Sequence, residues 1–278
     1  MSTLSSTLGV FGTSILAGFL GALTGLGGGV VIVPVLCVLF KIDIHYAIGA
    51  SLVSVIATSS GAASAFVREG YSNIRIGMFL EVATALGALL GAHLTAKVSG
   101  NWIGGIFGVA LLYSAWASMR KAPTQAKISR PDPLAMELNL KGFYPVRGGR
   151  EEYVAQHVPG GFGIMFVAGT LSGLLGIGSG AVKVLAMDQI MKPPFKVSTT
   201  TSNFMIGVTA AASAGVYLSR GYILPGLSMP VMLGVLAGAL VGSRILVNAH
   251  VKALRLVFSI VIVALGVEMI FNGLTGRL

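Results

Sequence analysis

The sequence predicts an all-α integral membrane protein made of two inverted structural repeats, each holding a glycine-broken re-entrant hairpin and about three spanning helices. Three observations lead there. Hydrophobic residues make up 54% of the chain and charged residues 10%, with a mean hydropathy of +0.86, far from the range of a water-soluble domain. Gly25-Leu26-Gly27-Gly28-Gly29 returns 151 positions later as Gly176-Ile177-Gly178-Ser179-Gly180, and the same offset pairs Gly18 with Gly169, Lys41 with Lys192, Ser51 with Ser202 and Gly87 with Gly238. Each glycine cluster also interrupts an apolar run and is followed by a segment too short to cross a bilayer. Duplicated halves with interruptions at matching positions are the pattern of transporters whose site lies where the interruptions meet.

Apolar segments fall near 5–24, 29–40, 44–67, 74–97 and 101–119, and again near 159–176, 180–191, 197–218, 222–247 and 251–273. All are read as helices, because backbone polar groups in lipid must be satisfied within the segment and the alternation of a barrel strand is absent. Crossing the hydrocarbon core takes roughly 20 residues. Segments 29–40 and 180–191 fall short of that, so each is half of a hairpin or half of a broken crossing helix. Residues 5–24 are long enough to cross unaided. Between the two series lie Pro123, Pro131, Pro133, Pro145 and the densest run of charge, ten of the chain's 28 charged residues within 121–157, the composition of a solvent-exposed linker. The chain therefore divides into a first membrane repeat over 1–120, a polar cytoplasmic connector over 121–158 and a second membrane repeat over 159–278.

The net charge of +10 is scattered through short inter-helix segments and the connector, not gathered into a stripe with interleaved aromatics. That argues against a nucleic-acid partner and makes the charge a signal of topology. With both glycine segments re-entrant, fourteen Lys and Arg residues share the connector's side, among them Arg68, Arg75, Lys192 and Arg244, against Lys41, Lys97, Arg220 and Arg277 on the other. With both segments crossing, the split weakens to eleven against seven. The stronger bias selects the inverted arrangement in the cell (plasma) membrane, with the connector cytoplasmic and both termini outside. Cys37 is expected to be a buried inert thiol. Met1–Thr7 lacks the basic region of a cleaved signal peptide, so the first apolar stretch is expected to be retained.

A helix that starts inside the membrane presents N–H groups without intrahelical partners and the positive end of its dipole, which suits an anion. The expected substrate-binding residues at the two breaks are Gly27, Gly28, Gly29, Gly178, Ser179 and Gly180. Lys183 follows three positions after Gly180, where the repeat partner is Ile32. A charge at a helix centre costs about 2.5–3.5 kcal/mol on insertion scales, so Lys183 is expected to meet an anion or a carboxylate such as Asp188. Ser51, Ser202 and Asn203 lie on the next helix of each half and offer donors to the same ligand. Asp188, His93 and Glu81 are the titratable candidates for coupling, and Glu268 has no repeat counterpart. No catalytic set, metal site or cofactor is read: Ile177 stands where Gly-x-Ser-Gly needs its first glycine, and there is no P-loop, so active transport would draw on an ion gradient.

Taken together, the Gly-x-Gly-Gly-Gly break with its short apolar helix, the segments Ala50-Ser51-Leu52 and Thr201-Ser202-Asn203, and the Gly-Ala-x-x-Gly repeated at Gly87 and Gly238 resemble the sulfite exporter TauE/SafE family of membrane permeases. The resemblance spans roughly residues 5–119 and 159–275. It implies a transmembrane permease for small sulfur-containing anions of the sulfite, organosulfonate or sulfoacetate type, with some members linked to carboxylates or to uptake. The expected function is a gradient-driven exporter working by alternating access, the alternatives being a passive anion channel or a carrier of a small carboxylate. A lysine at position 183 is no part of the family pattern and points to selectivity. The expected partners are the small anion, the lipid bilayer and a coupling proton or ion, and a homodimer is left open.

Overall fold

The structure is a computed structural model that describes residues 3–24, 28–68, 72–119, 132–146, 149–178, 180–246 and 251–277. Each apolar series folds as helices. The first gives α1 (Thr3–Thr24), α2 (Gly29–Leu39), α3 (Ile44–Arg68), α4 (Ile74–Thr95) and α5 (Gly100–Met119). After a short α6 (Pro133–Glu137), the second gives α7 (Val158–Leu175), α8 (Gly180–Leu185), α9 (Phe195–Ser219), α10 (Pro225–Leu246) and α11 (Val251–Leu274). α8 continues as a π-helical turn over Ala186–Met191, in which Lys192 N–H reaches back to the Met187 carbonyl at 2.7 Å. Pro193 and Pro194 then end the helix, since neither can donate to its ladder. Among the described residues, α4, α7 and the Pro225–Gly242 stretch of α10 are long and apolar enough to cross a membrane.

The two glycine-interrupted pairs are antiparallel hairpins. A Cβ on Gly9, early in α1, would stand 3.4 Å from the Phe40 ring just beyond α2. A Cβ on Gly161, in the first turn of α7, would meet the Met191 side chain at 2.6 Å, and Gln156 N–H donates to the Met191 carbonyl at 2.9 Å. Each chain thus returns to the end of the bundle from which it set out, so residues 5–24 form one arm of a hairpin. Lys41 and Lys192, equivalent by the 151 offset, close these hairpins with matching left-handed backbone, φ 55° and 54°.

Between the halves, contacts come in exchanged pairs. α1 packs along α10 and α7 along α4, while α3 lies beside α9 and α5 beside α11. Gly18 of α1 fits against the Val235 backbone of α10, and its equivalent Gly169 of α7 fits against Thr84 of α4, itself equivalent to Val235. Gly87 against the Phe166 carbonyl and Gly238 against the Ile15 carbonyl repeat the exchange. In each case a Cβ would overlap the facing carbonyl oxygen, so glycine is what lets these helices touch backbone to backbone.

The connector departs from the all-α reading. Its described part carries β1 (Lys141–Val146) and β2 (Gly149–Val154), an antiparallel hairpin pairing Lys141 with Val154 and Phe143 with Glu152. It is not a loose linker: Ala135, Leu140, Tyr144, Tyr153 and Ala155 are buried with Ile76, Leu80, Met165, Met187 and Met205 in one cluster. Asp132 fastens both ends, its carboxylate accepting from Leu134 N–H at 3.0 Å and from Val158 N–H, at the start of α7, at 2.9 Å. Asn73 caps α4 by accepting from Ile76 N–H at 3.0 Å, and its amide donates to the Tyr153 hydroxyl at 2.7 Å. Amphipathic alternation over six residues escapes a reading tuned to apolar helices.

Candidate functional site

The helix breaks meet at Ser51. This α3 side chain, fully buried, donates to the Gly176 carbonyl at the end of α7 at 2.8 Å. A Cβ on Gly29, the first residue of α2, would stand 2.6 Å from Ser51 Oγ and 3.2 Å from that same carbonyl. The end of the long arm of one hairpin therefore abuts the start of the short arm of the other. Gly176 and Gly178 hold φ of +66° and +69°, where a side chain would be strained, and Gly178 fits against Ile206 of α9 and Val55 of α3. Gly28 precedes α2 without a side-chain cap and fits against the Val235 side chain. In the second half Ser202 donates to the Gly180 carbonyl at 3.3 Å. Asn203 is half-buried beside it on α9. Gly27 and Ser179 lie outside the described residues.

A cavity of about 950 Å³ opens next to these breaks. Val30 in the first turn of α2 and Gly180 and Val182 in α8 border it together with Ile177 of the break. It is also lined by α5, with Asn101, Trp102, Tyr113 and Ser114, and by the C-terminal end of α11. The wall is mostly apolar, with a small number of polar groups, the general character of a small-molecule site. Asn101 Oδ1 is buried there without a hydrogen-bond partner among the described residues.

Lys183 is fully buried and turns away from that cavity toward α9 and α4. Its Nζ donates to Thr209 Oγ1 at 2.5 Å and to the Met205 carbonyl at 3.4 Å. Thr209 Oγ1 in turn lies 2.6 Å from Glu81 Oε1 of α4 and 3.4 Å from Thr84 Oγ1. Lysine and glutamate thus face each other through one hydroxyl, joining elements of both halves. Glu81 is 4% exposed, and its second oxygen, Oε2, is buried with no partner among the described residues. Asp188, expected beside Lys183, lies half-buried in the π-helical turn, and the carboxylate bridged to Lys183 is Glu81. His93 is exposed at the end of α4 with Nδ1 2.8 Å from the Leu89 carbonyl, and Arg220 from the end of α9 donates to the neighbouring Ala92 carbonyl at 2.8 Å. Glu268 is exposed on α11.

Thr209 stands outside the motifs that mark the two breaks. Seven positions after Ser202, two helical turns on, it lies on the same face of α9, and that spacing was the available signal. The α5 wall was also missed, since Asn101, Tyr113 and Ser114 belong to no repeated motif.

Comparison with known proteins finds relatives named as membrane transporters. "Probable membrane transporter protein YunE" of Bacillus subtilis (strain 168) is 28% identical over 267 residues, covering 94% of this chain and 96% of that protein. "Probable membrane transporter protein YdhB" of the same organism is 27% identical, covering 84% and 86%. "Probable membrane transporter protein ORF9" of Sinorhizobium sp is 23% identical, covering 94% and 91%. No solved structure matches the chain. The family model described as Sulfite exporter TauE/SafE matches residues 10–269, nearly the whole sequence, and the chain therefore belongs to that family of membrane transporters.

Proposed function

We propose that the protein is a gradient-driven carrier of small sulfur-containing anions, of the sulfite, organosulfonate or sulfoacetate type, working by alternating access. The observation that carries this reading is that the first turns of both half-helices, at Val30 and at Gly180, border one cavity. Helix starts at membrane depth offer N–H groups and positive dipole ends, and glycine leaves the backbone open to a ligand. Gly28, Gly29, Gly178 and Gly180 would line the anion's path with Ser51, Ser202 and Asn203, and Lys183 would set the charge preference from behind α8.

The exchanged contacts between the halves and the two returning hairpins support an inverted repeat, in which each half crosses the membrane three times by α3, α4 and α5 or by α9, α10 and α11. The basic residues near the connector favour a cytoplasmic connector, with both termini outside the cell membrane. Rocking of one half about the glycine seams would open the cavity to alternate sides.

Solute counterflow in proteoliposomes tests the function. Vesicles loaded with unlabelled sulfoacetate should transiently accumulate external labelled sulfoacetate, because a carrier exchanges. Flux that follows the driving force without counterflow would mean a channel. Counterflow with lactate and with no sulfur anion would mean a carboxylate carrier.

A further inference from the structure

The bridge between Lys183 and Glu81 invites a question that the anion reading alone does not answer, namely what balances the substrate's charge. Thr209 accepts from Lys183 Nζ, and its one hydrogen lies between two acceptors, Glu81 Oε1 at 2.6 Å and the Met205 carbonyl at 2.9 Å, the carboxylate being the nearer and the charged one. Glu81 Oε2 is buried and unpartnered among the described residues, the one carboxylate position here that can take a proton without breaking an existing hydrogen bond. The bridge belongs to one half alone, since the equivalents of Lys183 and Glu81 are Ile32 and Met232. A support needed for the fold would be expected in both.

The surroundings leave these two charges to each other. α7, packed along α4, carries no ionisable residue. On α9 the ionisable residues are Lys196 in the first turn and Tyr217 in the last. On α4 they are Arg75 and His93, at opposite ends, besides Glu81 itself. The α8 segment adds Asp188, a full turn beyond Lys183, and the connector adds Tyr144, bonded to Glu151, and Tyr153, bonded to Asn73.

We propose that Glu81, Thr209 and Lys183 form the proton-coupling centre of the carrier, so that each monovalent anion crosses together with one proton. The inference rests on the carrier reading above. Without substrate, the lysine ammonium and the glutamate carboxylate cancel. An anion at Gly180, one helical turn from Lys183, leaves the centre one negative charge in excess. Glu81 restores neutrality by taking a proton from the water on the open side, forming an O–H bond at Oε2, while Lys183 keeps all three of its protons. A neutral centre can be enclosed and carried across at far lower cost than a charged one. On the far side the anion leaves, Glu81 returns its proton to water, and Thr209 again bridges two opposite charges. An anion leaving the cell down its own gradient would take a proton with it, and an inward proton gradient would drive uptake.

The test uses the intact chain in proteoliposomes with labelled methanesulfonate, a monovalent organosulfonate that carries no exchangeable proton near neutral pH. Counterflow at equal pH reports carriage, and accumulation under an imposed pH difference reports coupling. The wild type should accumulate methanesulfonate roughly tenfold per pH unit, the ratio set by one proton per anion, with matching proton entry recorded by a trapped pH dye. E81Q, fixed in the neutral form, should still exchange but lose accumulation. E81D, which keeps a titratable carboxyl, should recover it. Wild-type counterflow without accumulation overturns this inference and leaves the carrier reading intact. Accumulation by E81Q equal to wild type removes Glu81 from the coupling. Absence of wild-type counterflow overturns the carrier reading for organosulfonates, and this inference with it. Should E81Q not insert, the wild-type ratio and the E81D recovery decide the matter.

Discussion

Ser51 Oγ donates to the Gly176 carbonyl across 125 positions of chain, and so one hydroxyl ties α3 to the end of α7 where the start of α2 packs against it. Removing it in Ser51→Ala leaves a buried carbonyl unpaired, which costs about 1–3 kcal/mol. Thermal unfolding in detergent should show a clear drop in midpoint. Ser202→Ala, which removes a longer 3.3 Å bond within one half, should cost less. Equal losses would mean that Ser51 has no special part in joining the halves.

The glycine seams make a sharper contrast. Gly87→Ala and Gly238→Ala each drive a methyl into a facing carbonyl oxygen, and the surrounding backbones must separate. Overpacking of this kind typically costs 1–3 kcal/mol or more. Because the two positions are equivalent across the halves, their losses should be similar. A methyl on Gly105 or Gly163 would meet nothing within 4 Å, and alanine there should be neutral or slightly stabilising. Melting curves of the four variants check both statements.

Lys183 and Glu81 are expected to behave as a unit. Breaking a buried pair by removing one partner costs roughly 3–5 kcal/mol, because the other charge is left uncompensated. Lys183→Met should therefore destabilise strongly, and adding Glu81→Leu should restore part of the loss. A coupling on the order of 1–3 kcal/mol in the double-mutant cycle is expected for groups sharing one network. Strict additivity would show that the Thr209 bridge does not link them.

The helices and the two breaks were legible because burial in lipid leaves a strong record: long apolar runs, interrupted by clusters of glycine. The partner of Lys183 was not. Glu81 lies 102 positions away on a helix of the other half, and no local spacing could select it over Asp188, five residues along. The docking of the connector was hidden for another reason. Its prolines and charges read as solvent-exposed linker, yet Asp132, Tyr144 and Tyr153 pin it to the starts of α4 and α7 through contacts that only the fold creates.

That docking should depend on pH. Burial drives the Tyr153 hydroxyl above its ordinary pKa, against a smaller opposing effect of the Asn73 hydrogen bond. A raised folded value favours the neutral phenol, so this contribution is fully present below the unfolded pKa of about 10 and is lost as pH climbs through the folded one. Protease cleavage within 132–156 should accelerate above that range in the wild type. In Tyr153→Phe the alkaline step should shrink, and an unchanged step would assign it to another group.

Binding of a small sulfur anion where the glycine breaks meet should appear as ligand-dependent thermal stability of the purified protein. A ligand that prefers the folded state stabilises it by about 2.7 kcal/mol at a hundredfold excess over Kd. Across sulfite, thiosulfate, sulfoacetate, taurine, sulfate and lactate, at least one sulfur oxyanion should raise the unfolding midpoint, with the shift reduced in Ser51→Ala. No shift with any sulfur anion, alongside a clear shift with lactate, would contradict the account.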